Sequence, residues 1–239
     1  MNKLLICIQA WEGDIVQAEN LAHVLCDLSP KRSPYLHADI ALITRFDCRP
    51  FNKKVLSRLE EAFEHVYQHV GERRETGWPA GCNALWFSTI SWSAGMVRNR
   101  KFSYPVLLTT EADACPLVAD WDQQLFAEWN KAKKSVVGDW LDSGSDECGH
   151  INGNMMVDSS IFDMDYKLVG CDGNQAWDTV LAPTFKRLGW YDTPLIHSMW
   201  KTETLPNSEI EKLTKDGVVW LHGVKDSSVQ DYVAKKFAS

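Results

Sequence analysis

Short apolar runs alternate with stretches whose apolar residues recur every three or four positions, and this rhythm holds over the first 140 residues. Residues 3–8 (KLLICI) make the apolar run that a strand buried on both faces requires. Residues 12–27 then place Ile15, Ala18, Leu21, Ala22 and Leu25 on one helical face. Residues 39–44 (DIALIT) predict a second buried strand, and Asn52 predicts the cap of a helix running to Ala62 with Val55, Leu56 and Leu59 inward. Val66, Tyr67 and Val70 make 63–70 a third strand, and the Gly and Pro content of 71–83 makes it a loop. A helix from Asn83 to about Ser93, a strand over 103–110, a helix over 118–132 and a strand over 135–140 follow. Beyond them the pattern predicts a polar loop over 141–153 and a short strand over 154–157. A helix over 174–188 buries Trp177, Val180, Leu181, Phe185 and Leu188; a last strand over 218–221 and a helix over 227–237 end the chain.

Alternation of strand and helix implies an α/β fold with a mostly parallel sheet and helices on both faces. Ligands of such sheets bind outside the carboxyl ends of the strands. Polar groups fall at three of these ends: Gln9 with Trp11, Arg45, and Glu111 with Asp113.

The 239 residues, 45% of them hydrophobic, are enough for a sizeable core and exclude disorder for most of the chain. The net charge of −7 withholds the global attraction that nucleic-acid binding draws on, leaving Arg73-Arg74 and Arg98, Arg100 and Lys101 as local basic stretches. Seven Cys without a C-x-x-C pair argue against a zinc ribbon and for reduced thiols in the cytoplasm. No apolar run approaches membrane-spanning length, and the N-terminus reads as a first strand and not a signal peptide. Eleven Trp supply flat faces for a core or for stacking on sugars and bases; Trp78, Trp86, Trp92, Trp140, Trp177 and Trp200 are the candidates for stacking.

Three motifs carry chemistry. In Thr109-Thr110-Glu111-Ala112-Asp113 a buried strand runs into two carboxylates one residue apart. Extended backbone would aim both the same way, at a hard cation such as Mn²⁺ or Mg²⁺, from an exposed strand end. In Trp220-Leu221-His222-Gly223-Val224-Lys225 an apolar strand delivers an imidazole, a glycine that lets backbone approach phosphate, and a cation for a diphosphate. In Gly149-His150-Ile151-Asn152-Gly153-Asn154 two amides flank a glycine, as on a tight turn offering donors and acceptors to sugar hydroxyls.

Together these motifs resemble the GT-A glycosyltransferases over nearly the whole chain, including the stand-alone enzymes of phage and bacteria. Glu111-x-Asp113 looks like the family's D-x-D metal motif, with Glu for the first Asp. His222-Gly223-x-Lys225 looks like the C-terminal element of the glycogenin-like retaining branch, which continues with Pro-Trp where this chain has Asp226-Ser227. The resemblance implies a single GT-A domain over 1–239, with the donor-binding half at about 1–115 and the acceptor and catalytic half at about 116–239. It implies Mn²⁺ or Mg²⁺ on Glu111, Asp113 and His222, and a nucleotide-sugar donor, UDP-linked by preference. That donor would lie along Gln9, Ala10, Trp11, Arg45, Gly81, Asn83, Asn152, Asn154, Gly223 and Lys225.

An inverting reaction further needs a carboxylate to take the acceptor proton. Asp178, opening an otherwise apolar helix, is the first candidate, with Asp142 and Asp146 behind it. The acceptor reads as a carbohydrate or small molecule, with hydroxymethylated bases in DNA as the alternative. A sugar nucleotidyltransferase is the rival enzyme, disfavoured because 9–14 (QAWEGD) lacks Lys and Arg. A non-catalytic sugar-binding module would have no use for the three metal ligands.

Overall fold

The computed structural model describes residues 2–28, 36–98, 104–142, 149–158, 161 and 174–237. A seven-stranded sheet runs in the order β3 (Val66–Val70), β2 (Leu36–Thr44), β1 (Asn2–Ala10), β4 (Val106–Glu111), β7 (His150–Asp158), β6 (Val136–Leu141), β8 (Trp190–Asp192). Only β7 runs against its neighbours β4 and β6; the other pairings are parallel, as the alternation requires. A second sheet orders β5 (Cys115–Pro116), β10 (Trp220–Val224) and β9 (Ile196–Lys201).

Both faces of the large sheet are covered. Along β1, Leu4, Ile6, Ile8 and Ala10 join the core under α1 (Ile15–Leu28), α2 (Lys53–Ala62), α4 (Trp121–Ala132), α6 (Asn207–Lys215) and α7 (Ser228–Phe237). Leu5 and Cys7 point the other way, into the core under α3 (Ala80–Arg98) and α5 (Trp177–Leu188). A strand with apolar residues on both faces is the physical content of the KLLICI run. Asn52 caps α2 as read, its side chain accepting from the Lys54 N–H.

Several elements differ from the sequence reading. Helix α3 starts at Ala80, directly after Pro79 and three residues before the expected start at Asn83, so Gly81 lies in its first turn and not in a loop. The polar stretch read as a loop ends early: β7 is nine residues long and takes in Asn152-Gly153-Asn154, which is therefore strand and not a tight turn. Pairing with β4 and β6 outweighs the turn preference of Asn and Gly there. His222 and Gly223 lie inside β10, not beyond it. Strands β5, β8 and β9 and helix α6 have no counterpart in the sequence reading.

Most Trp residues turn out to be core. Trp86 and Trp177 stack with centroids 4.4 Å apart, Trp140 and Trp190 at 4.3 Å, and Trp121 and Trp220 pack at 5.0 Å. Of the stacking candidates, Trp78 and Trp200 are left exposed. Cys7, Cys26, Cys48, Cys82 and Cys115 are free thiols, while Cys148 and Cys171 lie outside the described residues. Among the described residues no helix is long and apolar enough to cross a membrane.

Candidate functional site

The site forms where β4 ends. Glu111 is the last residue of the strand; the chain then turns, with the Ala114 N–H donating to the Glu111 carbonyl at 3.2 Å, and enters β5. Strand β5 pairs antiparallel with β10, which carries His222. The two carboxylates thus reach one point through a turn held by sheet pairing, and not through the alternation of an extended strand. Asp113 is correspondingly buried, 6% exposed, where an exposed strand end was expected.

Nε2 of His222 lies 3.1 Å from Glu111 Oε2 and 3.2 Å from Asp113 Oδ1. Lys225 Nζ holds the other Asp113 oxygen at 2.5 Å. One ligand atom from each of Glu111, Asp113 and His222 falls within 4.8 Å of the others. Two carboxylate oxygens and an imidazole nitrogen are a donor set able to hold a divalent metal ion. Electrostatics agree with that donor set. Burial opposes the charge on Asp113, but His222 and Lys225 overcome it and hold the carboxyl at about 2. Burial likewise opposes protonation of His222, yet Glu111 and Asp113 push it up to about 9. The cluster therefore holds a positive charge at its centre, the place a divalent ion takes from a proton.

The surrounding polar contacts fix this geometry. Asn154, fully buried, accepts from Thr110 Oγ1 at 2.8 Å, the Glu111 N–H at 3.2 Å and Trp220 Nε1 at 3.5 Å. Gln230 of α7 donates to the Ala112 and Ala114 carbonyls at 2.8 and 3.0 Å, pinning the turn from behind. A Cβ at Gly153 would sit 2.4 Å from Glu111 Oε1, so a side chain there would push the Glu111 carboxylate aside. At Gly223 φ is +97°, and a Cβ would meet the Met199 carbonyl oxygen of β9 at 1.6 Å. The task shown for that glycine is close packing of two strands at the bulge between His222 and Val224.

The other candidates spread along the same edge. Trp11 is partly exposed with the Arg45 guanidinium 5.0 Å over its ring, and Arg45 is held by Asp47 at 2.6 and 2.7 Å. Gly81 leaves room for that guanidinium, since a Cβ would lie 2.8 Å from Nη1. Ala10 is fully buried, and Gln9 is buried beside Glu111 in register with its Nε2 lacking a protein partner. Asn154 Nδ2 and His222 Nδ1 lack one too. Asn152 is half-buried in β7.

Asn83 is not at the surface of this edge. It is fully buried, accepting from the Trp177 N–H at 2.8 Å and donating to the Gln175 carbonyl at 2.9 Å, so it ties α3 to the start of α5. That start carries Asp178, whose carboxyl is raised by burial, eased by His150 and raised further by Glu111. Asp142 is exposed beyond β6, and Asp146 lies outside the described residues.

Three groups at this edge escaped the sequence reading of the site. Burial, then the charges of Asp113 and Glu111, push Asp14 up to about 7, against its bond from the Trp11 N–H and the charge of Lys225. The Cys82 thiol is pushed up to about 11 by the protein packed around it and by Glu111, Asp14 and Asp178. His150 Nε2 lies 3.7 Å from Asp178 Oδ2. Each belonged to a segment already singled out, but only the fold shows that they share this edge, Cys82 from an exposed position on α3. A second group with ligand-like spacing, Asp39, Glu64 and His65, lies near the opposite end of β2, where Asp39 is engaged by His65 and Tyr104.

Comparison of the whole chain with solved structures decides the fold. The WbbM bifunctional glycosyltransferase superposes with a TM-score of 0.59 at 10% identity, over 100% of this chain and 50% of that one. Mouse xyloside xylosyltransferase 1 gives 0.54 at 9% identity, over 93% and 98% of the two chains. Residues 1–349 of S. aureus TarS give 0.52 at 7% identity, with 100% and 64% covered. The chain has a GT-A glycosyltransferase fold. It spans half the length of WbbM, under two thirds of the TarS fragment and nearly all of the xylosyltransferase. No family model matches the sequence, and no curated protein matches it. Within this GT-A fold, the Glu111–Asp113–His222 cluster lies at the carboxyl end of β4, where open α/β sheets bind their ligands.

Proposed function

We propose that the protein is a metal-dependent glycosyltransferase moving a sugar from a nucleotide-sugar donor, UDP-linked by preference, to a hydroxyl of a carbohydrate or small molecule. The observation that carries this reading is the convergence of Glu111, Asp113 and His222 beside Lys225 on a GT-A fold. Glu111, Asp113 and His222 would hold Mn²⁺ or Mg²⁺, which when bound offsets charge on the donor diphosphate. Trp11 and Arg45 offer a flat face and a cation for the nucleotide at the end of β1. Lys225, half-buried and paired with Asp113, would neutralise the leaving diphosphate. Asp178 is the base: it takes the acceptor O–H proton as the acceptor oxygen bonds to the anomeric carbon. The bond from that carbon to the diphosphate breaks, and its electron pair leaves with the diphosphate. That role predicts inversion at the anomeric carbon.

Arg73 and Arg74 weigh against modified DNA as the acceptor. Arg73 packs over Phe87 at 3.8 Å and Arg74 over Phe46 at 4.7 Å, so each guanidinium already has an aromatic partner on the protein. The stretch Arg100-Lys101 lies outside the described residues. The test is incubation with UDP-glucose, UDP-GlcNAc and GDP-mannose plus Mn²⁺. Release of a nucleoside diphosphate supports transfer, whereas pyrophosphate exchange would assign the chain to nucleotidyl transfer instead.

A further inference from the structure

His150 opens β7 and Asp178 sits in the first turn of α5, near enough to Glu111 of β4 to feel its charge. Two independent restraints fix the pair. On the α5 side, Asn83 holds the backbone at Trp177 and Gln175, and Trp177 stacks on Trp86. On the β7 side, His150 is in register with Leu141, and Gly149 before it passes so close to Trp140 that a Cβ would lie 2.5 Å from Nε1.

The two Asp178 oxygens have separate surroundings. Oδ1 accepts from the Thr179 N–H at 2.8 Å, which anchors the carboxylate to its own helix. Oδ2 points away, towards His150 Nε2 at 3.7 Å. Besides His150 from β7, Asp178 is faced by Glu111 from β4 and the Cys82 thiol from α3, neither of which supplies positive charge. Nearby cations are committed elsewhere, Lys225 to Asp113 and Arg45 to Asp47. A carboxylate crowded by protein and by another carboxylate loses basic form unless a cation stands beside it.

We infer that His150 is the positioning residue of the catalytic base, holding the Asp178 carboxylate ionised and aiming its Oδ2 at the acceptor hydroxyl. The inference rests on the reading of Asp178 as the base. It adds that transfer has an acid limit set by two residues on separate elements, and that His150 matters most on that side of the pH profile. A protonated imidazole at this separation lowers a neighbouring carboxyl by about one pH unit.

The test needs no substrate for its first arm. The Asp178 carboxyl carbon is followed by NMR through a pH titration of the aspartate-labelled protein, with Asp178→Asn to assign the signal. In His150→Gln the midpoint is expected to rise by about one pH unit, and in His150→Lys, which restores a cation, to return towards the parent value. His150→Asn serves if the glutamine variant fails to fold. The second arm is the pH profile of kcat with the donor and acceptor found by the donor screen. Its acid limb is expected to move with the midpoint, while KM for the donor stays unchanged. An unmoved midpoint in His150→Gln, or in His150→Asn where that variant stands in for it, overturns the inference and leaves the base reading standing. Full kcat in Asp178→Asn overturns the base reading, and the inference with it.

Discussion

Replacement of Gly223 by alanine isolates the strand packing that holds His222 in place. The added Cβ would stand 1.6 Å from the Met199 carbonyl oxygen, and that atom is backbone, so no side-chain rotation relieves the contact. Ordinary carbon–oxygen contact lies beyond 3 Å, so β9 and β10 must part by more than an ångström. A ladder hydrogen bond does not survive such a gap. Losing about two ladder bonds, at roughly 1 kcal/mol each, adds to a left-handed backbone penalty of about 1–2 kcal/mol. The expected destabilisation is therefore about 3–4 kcal/mol, which for a chain of this size lowers Tm by about 10 °C. Thermal melting by circular dichroism reads the loss. Mn²⁺ titration of the folded variant reads whether His222 has left Glu111 and Asp113. A Gly223→Ala protein melting within about 2 °C of the parent would refute the argument that β9 and β10 need a glycine at this bulge.

Three further outcomes follow from the site. Asp113→Ala should abolish Mn²⁺-dependent donor turnover and also destabilise the fold by about 3 kcal/mol, because it strips a buried carboxylate from His222 and Lys225; unchanged turnover in EDTA would remove the metal from the mechanism. Cys82 should label slowly at pH 7 and about tenfold faster per pH unit until its thiol titrates near 11, as peptide mapping after alkylation would show. Mn²⁺ with a nucleotide sugar should protect it, and equal labelling with and without donor would place the donor elsewhere. Asp178→Asn should cut transfer by about a hundredfold with Tm unchanged, and NMR of the product of the parent enzyme should show an inverted anomeric centre; retention would take the base role from Asp178.

What the sequence disclosed follows from how local each signal is. The apolar runs of β1, β2 and β4 and the Asn52 cap depend on neighbours a few residues away, and these were read correctly. The Asn152–Asn154 segment has the composition of a turn, and only its partners β4 and β6 make it a strand. Strand β9 (IHSMWK) mixes His197, Ser198 and Lys201 with apolar residues in no alternating pattern, two positions after Pro194, and gives little sign of itself until β10 lies next to it. The approach of Glu111, Asp113 and His222 could be anticipated from apolar strands ending in chemistry. The burial of Asp113 could not, because it depends on β5 pairing with a strand more than a hundred residues later. Asn83 shows the opposite limit: a polar residue near a glycine looks like a ligand contact until its amide is found tying two helices together.

The Gln230 side chain gives the last helix a say in chemistry performed by distant segments. Its amide bridges the Ala112 and Ala114 carbonyls on either side of Asp113, so the carboxylate's aim is set partly from α7. Trimming the chain at residue 227, or fusing a bulky partner that prises α7 loose, would remove a clamp while leaving every ligand-bearing residue in the polypeptide. Such a product would fail as a catalyst with its motif intact, and a screen that scored motifs alone would pass it as competent.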